Sequence, residues 1–278
     1  TSKQKRIIED QKQKVDKAFD ELEEKNTEIL DSINYAKRIQ SAILPSASAI
    51  KEHLKDSFVL YKPKDIVAGD FYWLEQKGNK ILFAAADCTG HGVPGAMVSV
   101  ICNNGLNRSV REDGLTTPGE ILDKTREIVI REFEKSEDDV NDGMDIALCS
   151  IEGMNLEYAG ANNPLWIIRD EALIEIKADK QPIGKFDNQT PYTTHSFELK
   201  KGDTIYIFSD GFAAQFGGPS TGSGTTGKKF KVKVFKELLV SIQGQSLENQ
   251  KEYIENAFDK WKGEHEQIDD VCVIGVRI

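Results

Sequence analysis

The stretch that decides the fold is Ala84-Ala85-Ala86-Asp87-Cys88-Thr89-Gly90-His91-Gly92-Val93-Pro94-Gly95. An apolar run over residues 81–86 predicts a buried strand, which ends at one carboxylate, Asp87. The glycines that follow allow a tight turn, and Pro94 and Gly95 open a segment that can become helical. The stretch therefore predicts a strand, a polar turn and a helix, with Asp87 at the end of the strand.

Other acidic residues, like Asp87, lie beside a glycine or at the end of an apolar run. Asp70 follows a glycine, Asp210 follows an apolar run, and Asp269-Asp270 precedes the last apolar run. Loops on a rigid sheet often carry binding and catalytic residues. Carboxylates without nearby His or Cys favour Mg²⁺ or Mn²⁺ over Zn²⁺, and two such ions can activate a water and clamp a phosphoryl group. For any single one of these residues the alternative is ordinary turn chemistry.

Composition excludes several classes of protein. The chain has 278 residues, with 36 basic against 46 acidic side chains and a net charge of −10, which argues against a nucleic-acid or anionic-membrane partner. The four cysteines are widely spaced without a C-x-x-C pair, so we expect neither a structural zinc site nor disulfides. Free cysteines of this kind fit a protein of the reducing cytoplasm. We expect no membrane span and no signal peptide. Because the chain begins at Thr1, we expect a fragment of a longer protein.

The first part of the chain predicts a long helix over residues 8–44, ended by Pro45. Apolar residues recur every seven positions, and a second register four residues on is partly polar, with Asn26 at an a position. This heptad seam predicts a parallel homodimer; the alternative is one helix packed on its own domain. The d positions are Ile8, Val15, Leu22, Ile29, Ala36 and Ile43, and the a positions are Lys12, Phe19, Asn26, Ile33 and Gln40.

Downstream, short strands and hairpins predominate and predict an α+β domain with a mainly antiparallel sheet. We expect a linker over residues 1–56 and one domain over residues 57–278. Thr117-Pro118-Gly119-Glu120 predicts a capping box at the start of a helix. Residues 220–227, Ser-Thr-Gly-Ser-Gly-Thr-Thr-Gly, have the composition of a flexible linker, natural or engineered.

Three weaker motifs need an interpretation. Gly90-His91-Gly92-Val93-Pro94-Gly95 fits the dinucleotide-binding pattern, but an acidic neighbour and the lack of alternating βαβ units argue against it. His91 is either a general acid or a loop histidine bonded to backbone. We expect turn or strand-end roles for Asp145 and for Asn162-Asn163-Pro164, with a metal role for Asp145 as the alternative.

Together these residues resemble the SpoIIE-type bacterial serine/threonine phosphatases, which are metal-dependent phosphatases of the 2C type (PPM). The resemblance runs in consistent order over residues 33–278. It rests on Val67-Ala68-Gly69-Asp70-Phe71-Tyr72-Trp73, on residues 87–95, on Ser209-Asp210-Gly211-Phe212 and on Asp269-Asp270-Val271, with further matches at residues 35–40, 159–164 and 181–184.

The resemblance implies an α-β-β-α sandwich, two antiparallel sheets flanked by helices, with two Mn²⁺ or Mg²⁺ ions at one edge. Asp70 and Asp87 would be metal ligands, Asp87 bridging both ions with the carbonyl of Cys88 assisting, and Asp210 and Asp269 would complete the ligand set of the second metal. A metal-bound hydroxide would attack the phosphorus of phosphoserine or phosphothreonine. The expected substrate is a regulatory protein of anti-sigma-antagonist type, and an upstream sensory module would act through the N-terminal helix.

One position departs from the family pattern. After Ser209-Asp210-Gly211-Phe212-Ala213 the family usually carries another Asp, whereas this chain has Ala214. Two interpretations follow: an active phosphatase controlled by a dimeric coil, or a catalytically impaired version that acts as a signalling scaffold.

Overall fold

Strands of the domain pair into two five-stranded sheets in the computed structural model, which describes residues 2–135, 141–218 and 227–278. All ladders between the named strands are antiparallel. The first sheet has the order β1 (Ser57–Lys62), β12 (Val271–Arg277), β9 (Thr204–Phe208), β6 (Leu165–Arg169) and β7 (Ala172–Ile176). The second has the order β2 (Phe71–Lys77), β3 (Lys80–Cys88), β4 (Met144–Glu152), β5 (Asn155–Ala161) and β8 (His195–Glu198). A small ribbon joins β10 (Phe216–Gly217) and β11 (Lys228–Lys229).

Helices cover the outer face of each sheet. The bounds are α1 (Ser2–Ile43), α2 (Ala47–His53), α3 (Gly92–Arg111), α4 (Pro118–Phe133), α5 (Gly211–Ala214), α6 (Val232–Ser241) and α7 (Leu247–Lys262). Apolar residues of α3 and α4 pack on the second sheet, and those of α6 and α7 pack on the first. A third core fills the space between the sheets. The expected α-β-β-α sandwich is confirmed, and the antiparallel ladders exclude a dinucleotide-binding fold.

The central strand β3 shows why its sequence is apolar without alternation. Phe83 and Ala85 face the core between the sheets, while Ala84 and Ala86 face α3 and α4. Both faces of the strand are therefore buried, and full burial of a side chain such as Phe83 contributes about 1.5–3 kcal/mol. The register sets Asp87 opposite Asp145 on β4.

Two connections, the hairpin between β6 and β7 and the start of α4, show how local sequence sets the backbone. The hairpin between β6 and β7 places Asp170 and Glu171 at φ of 49° and 62°, the left-handed pair that suits a two-residue hairpin. The capping box predicted at Thr117 is wrong: α4 begins at Pro118, but the Thr117 side chain makes no capping hydrogen bond. The backbone N–H of Gly119 instead donates to Thr194 Oγ1 at 2.9 Å, because the segment that leads into β8 packs beside the start of α4.

The long helix α1 has two parts. Residues 2–32 are exposed, whereas Ile33 and Ala36 are half-buried and Gln40 is buried against the domain. Among the described residues, α1 therefore packs on its own domain only through its last turns. Helix α2 continues this contact, since Ile50 and the following Leu54 join the core between the sheets. The boundary at residue 56 stays a prediction.

Two other predictions concern membrane-spanning helices and the linker-like stretch at 220–227. Among the described residues, no helix is long and apolar enough to cross a bilayer. Of the linker-like stretch at 220–227, residues 220–226 lie outside the described residues.

Candidate active site

Four carboxylates line one cavity of about 360 Å³ at an edge shared by both sheets. Asp87 lies near the end of β3, opposite Asp145 at the start of β4. Asp210 follows β9 and immediately precedes α5, and Asp269 lies just before β12. Strand ends of the two sheets therefore bring together three of the predicted ligands, Asp87, Asp210 and Asp269. The cavity is also lined by Cys88, whose role in the prediction was to offer its carbonyl.

The fourth predicted ligand, Asp70, lies behind this cavity at the entry of β2. Its side chain is 1% exposed, and its Oδ2 has no hydrogen-bond partner among the described residues. Burial raises the pKa of Asp70 well above its usual range, and the neighbouring Asp87 raises it further. A buried carboxylate oxygen without a donor is costly, so this position calls for a cation or a proton.

The carboxylates of the cavity raise one another's pKa. Burial, followed by the charges of Asp210, Asp269 and Asp145, raises the pKa of Asp87 to about 8. Burial is also the main cause that raises the pKa of Asp210, with Asp269 next. Like charges in one site cannot all ionise unless a cation neutralises them.

The donor chemistry therefore fits divalent cations that prefer oxygen. In the arrangement of the described residues, no three His, Cys, Asp or Glu side chains converge tightly enough to hold an ion. The fit rests on the unpartnered Oδ2 of Asp70 and on the all-carboxylate donor set.

Asp270 has a different task from Asp269. Its two carboxylate oxygens accept backbone N–H bonds from Lys64 and Gly69, both at 2.7 Å. The side chain thereby fixes residues 64–69, the segment that leads into Asp70. The local residue pattern does not separate these adjacent aspartates, and only the family resemblance singled out Asp269 as a ligand.

Three glycines make a direct backbone contact beneath the cavity. A Cβ added to Gly69 or to Gly95 would lie 2.3 Å from the carbonyl oxygen of Gly90. Gly90 itself has a φ of +83°. These positions explain the glycines of the deciding stretch: the turn after β3 is pressed against both the Asp70 segment and the start of α3.

His91 lines the cavity and hydrogen-bonds to side chains rather than to backbone. Its Nδ1 lies 2.9 Å from Asp65 Oδ2, and its Nε2 lies 3.1 Å from Lys64 Nζ. Since a lysine ammonium can only donate, Nε2 accepts and Nδ1–H donates to Asp65. Lys64 and Asp65 were not among the residues predicted for the site, although their position just ahead of the Gly69-Asp70 pair was a signal in the sequence.

Asp145 joins the cavity, and Asn162 supports it. Asn162 has a φ of +58°, and its Nδ2 donates to Asp145 Oδ1 at 2.8 Å. The turn expected at Asn162 is thus present, and it also orients an acidic residue of the site. Lys185 is a second cavity residue that sequence reasoning missed.

Ala214 closes the one-turn helix α5. Its N–H donates to the carbonyl of Asp210 at 3.0 Å, which sets the two residues one helical turn apart. Ala214 is half-buried and is not among the residues that line the cavity.

Comparisons with known proteins identify the family of the chain. The profile of the family described as Stage II sporulation protein E (SpoIIE) matches residues 77–278. Phosphoserine phosphatase RsbU of Bacillus subtilis (strain 168) is 25% identical over 187 residues, which is 66% of this chain and 54% of that protein. The chain thus spans about half the length of this curated relative.

Solved structures give the same fold. The SiaA PP2C domain of Pseudomonas aeruginosa is 30% identical, with a TM-score of 0.80 over 91% of this chain and 98% of that one. The PP2C phosphatase domain of SpoIIE from Bacillus subtilis, solved with a fragment of its regulatory domain, is 18% identical, with a TM-score of 0.62 over 80% of this chain and 63% of that one.

Proposed function

Since this chain belongs to the SpoIIE family and carries a phosphatase domain of the PP2C type, we propose that the whole protein hydrolyses phosphoserine or phosphothreonine on a regulatory protein. The observation that carries the proposal is the cavity itself, in which Asp87, Asp210 and Asp269 face one space beside the buried Asp70. The name of the relative RsbU, a phosphoserine phosphatase, supports phosphoserine as the substrate group.

The proposed cofactors are two Mn²⁺ or Mg²⁺ ions. Asp70, Asp87, Asp210 and Asp269 would hold them, with the backbone carbonyl of Cys88. When bound, such ions supply an activated water and neutralise the phosphoryl oxygens. Asp87 must release its proton to serve as a ligand, so metal binding and deprotonation are coupled at this residue.

The chain's own side chains then handle the phosphoester. Lys64 and Lys185 bring positive charge to the mouth of an otherwise acidic cavity, which favours a dianionic phosphate. Asp65 fixes the His91 ring through Nδ1–H. His91 is our candidate for the acid that protonates the leaving seryl oxygen, a role that requires Nε2 to give up its contact with Lys64 and take up a proton. This role was one of the two alternatives that the sequence left open.

Control through the N-terminal helix is part of the proposal. The exposed seam of α1 supports a parallel homodimer, and Gln40 at its end contacts the segment that leads to Asp70. An upstream sensory module could act on this helix. We further propose a cytoplasmic location and a substrate of anti-sigma-antagonist type.

The alternative is an impaired phosphatase that serves as a scaffold, and Ala214 is the observation that favours it. The decisive experiment measures phosphate release from a phosphoserine peptide with Mn²⁺ and with EDTA. Turnover that requires Mn²⁺ supports the enzyme. Binding of Mn²⁺ without turnover would support the scaffold instead.

A further inference from the structure

We propose that Arg126 on α4 is a positioning residue for the reaction, because it closes the base of the loop that forms one wall of the cavity. We define this wall loop as residues 181–192. Three of its residues, Pro182, Gly184 and Lys185, line the cavity, whereas Arg126 is not among the lining residues. The inference rests on the proposed function and deepens it, since it names the residue through which the fold holds Lys185 beside the phosphoester.

The outgoing arm of the wall loop is fixed by backbone. Ile183 exchanges two hydrogen bonds with Met144 at the start of β4, at 2.8 and 3.1 Å. A Cβ added to Gly143 would clash with the carbonyl oxygen of Ile183, so the two backbones are in direct contact. Pro182 and Gly184, on either side of Ile183, therefore take their positions from the sheet.

The returning arm of the wall loop is held by side chains. Residues 185–191 are exposed, and among the described strands none pairs with them. The buried amide of Gln181 takes the place of a neighbouring strand: its Nε2 donates to the Thr190 carbonyl at 2.8 Å, and its Oε1 accepts from the Thr190 N–H at 3.0 Å. The position of the returning arm thus depends on Gln181 and on what holds Gln181.

Arg126 joins the two arms. Its Nη1 donates to Gln181 Oε1 at 3.1 Å and to the Thr190 carbonyl at 3.0 Å. Its Nη2 donates to Asp123 Oδ1 at 2.8 Å, and the same carboxylate accepts from the N–H of Tyr192 at 3.2 Å. The guanidinium carbon lies 4.8 Å from the centre of the Tyr192 ring. The planar fork of an arginine makes this set of contacts, and a lysine ammonium cannot. We call Asp123, Arg126 and Gln181 the arginine clamp.

The burial of Arg126 is unusual for a charged side chain. Only 9% of the residue is exposed, and arginine is rarely buried unless it is paired. Well-packed apolar residues often replace a buried ion pair without loss of stability, so stability alone does not account for the pair of Arg126 with Asp123. The bonds to both arms of the wall loop point to a positional role.

The arginine clamp reaches the cavity through Tyr192. The Tyr192 hydroxyl donates to the Pro182 carbonyl at 2.7 Å, so the returning arm is bonded to the part of the wall that lines the cavity. Lys185 is the first exposed residue after Pro182. Its ammonium assists a phosphate dianion only while the backbone that carries it is held, because the attraction between charges falls with distance and with screening by salt.

The test uses the full chain with saturating Mn²⁺, with p-nitrophenyl phosphate as substrate and inorganic phosphate as competitive inhibitor. We expect Lys185→Met to raise KM and the inhibition constant of phosphate roughly fivefold to tenfold, with kcat within about twofold. Arg126→Lys, which keeps the charge and removes the fork, should raise the same two constants by a similar factor. The double variant should be no weaker than the weaker single variant, because both substitutions remove the same contact.

Arg169→Lys is the matched control. Arg169 also forks one carboxylate, that of Asp203, which immediately precedes β9, whereas Asp210 follows this strand at the cavity. The control should lose stability but leave KM and phosphate inhibition within about twofold. If Arg126→Lys does not fold, Tyr192→Phe takes its place. This variant removes only the hydroxyl bond to the Pro182 carbonyl, and we expect it to raise KM roughly threefold.

Three results would overturn the positioning role while the proposed function stands: KM and phosphate inhibition of Arg126→Lys that equal those of Arg169→Lys, effects of Arg126→Lys and Lys185→Met that multiply in the double variant, or an unchanged KM in Lys185→Met. Hydrogen exchange of residues 185–191 tests the arginine clamp without catalysis, and exchange in Arg126→Lys at the rate of the parent chain would also overturn it. If the unsubstituted chain releases no phosphate from p-nitrophenyl phosphate, the proposed function fails. The role of Arg126 in the reaction then fails with it, even where exchange shows that the clamp holds the loop.

Discussion

The side chain of Gln40 hydrogen-bonds to both backbone groups of Ala68. Its Nε2 donates to the Ala68 carbonyl at 2.6 Å, and its Oε1 accepts from the Ala68 N–H at 3.1 Å. A third bond joins Nε2 to Ser99 Oγ on α3 at 3.0 Å. One buried amide thus ties the long helix to a position two residues before Asp70.

Substitution of Gln40 should therefore affect metal binding as well as stability. Gln40→Ala leaves the buried Ala68 groups without partners, and we expect it to lower the free energy of unfolding by about 1–3 kcal/mol. Because the segment leading to Asp70 loses its anchor, Mn²⁺ affinity should fall too. Denaturant titration and calorimetry measure the two effects, with the exposed Gln13→Ala as control. Unchanged Mn²⁺ affinity would exclude α1 from control of the site.

Asp87→Asn should remove most of the affinity for divalent metal without unfolding the chain. We expect Mn²⁺ affinity to fall roughly a hundredfold or more, since even residues behind the ligands cost 10–100-fold in known sites. The metal-free variant should be at least as stable as the parent, because the substitution removes one of several mutually repelling carboxylates. Calorimetry and thermal melts in EDTA test both statements, with the exposed Asp113→Asn as control. Unchanged Mn²⁺ binding would contradict the assignment.

The metal-free protein should lose stability as pH rises. The pKa of Asp87 is about 8 in the folded chain and about 3.9 in an unfolded one. Folding therefore takes up a proton between these values, so the stabilisation is full below pH 4 and is lost as pH rises toward 8. Melts in EDTA should show a Tm that falls from pH 5 to pH 8.5, with a smaller fall in Asp87→Asn. A Tm that rises over this range would refute the raised pKa.

Ala214→Asp should raise turnover more than metal affinity. It would place a carboxylate one helical turn after Asp210, and we expect this carboxylate to serve the reacting complex. We expect kcat on a phosphoprotein to rise roughly tenfold, equivalent to about 1.4 kcal/mol, with little change for the tightest metal. Steady-state kinetics at saturating Mn²⁺ measure the effect, and Ala213→Asp on the same turn is the control. Equal rates for the Ala214 and Asp forms would make this position neutral.

The exposed part of α1 should form a parallel dimer. Leu22 is 67% exposed and Ile29 is 57% exposed in the single chain, at d positions of the heptad. Light scattering at tens of micromolar, a concentration chosen for a coil of modest stability, should give a dimer for the full chain and a monomer for Leu22→Lys. Glu24→Lys, at the f position on the outside of the coil, should remain dimeric. A monomeric parent chain would contradict the coil.

Strands and acidic positions could be predicted because they depend on local pattern. The uninterrupted apolar residues before Asp87 predict a doubly buried strand, and a carboxylate at a strand end is visible in sequence. Contacts between remote segments could not be predicted in this way. Lys64 meets Asp270 across 206 positions, and the heptad assigned Gln40 to a coil although it docks on the domain. Heptad spacing predicts which face of a helix a residue occupies, but it does not predict whether that face packs on a second helix or on the domain.

The contact of Gly69 and Gly95 with the Gly90 carbonyl has a mechanical consequence. Side chains normally absorb small displacements by changing rotamers, but this contact is backbone against backbone and has no rotamers to change. A tilt of α3 would therefore also displace the segment that carries Asp70. The start of α3 is thereby coupled through backbone to the segment that carries the carboxylate of Asp70.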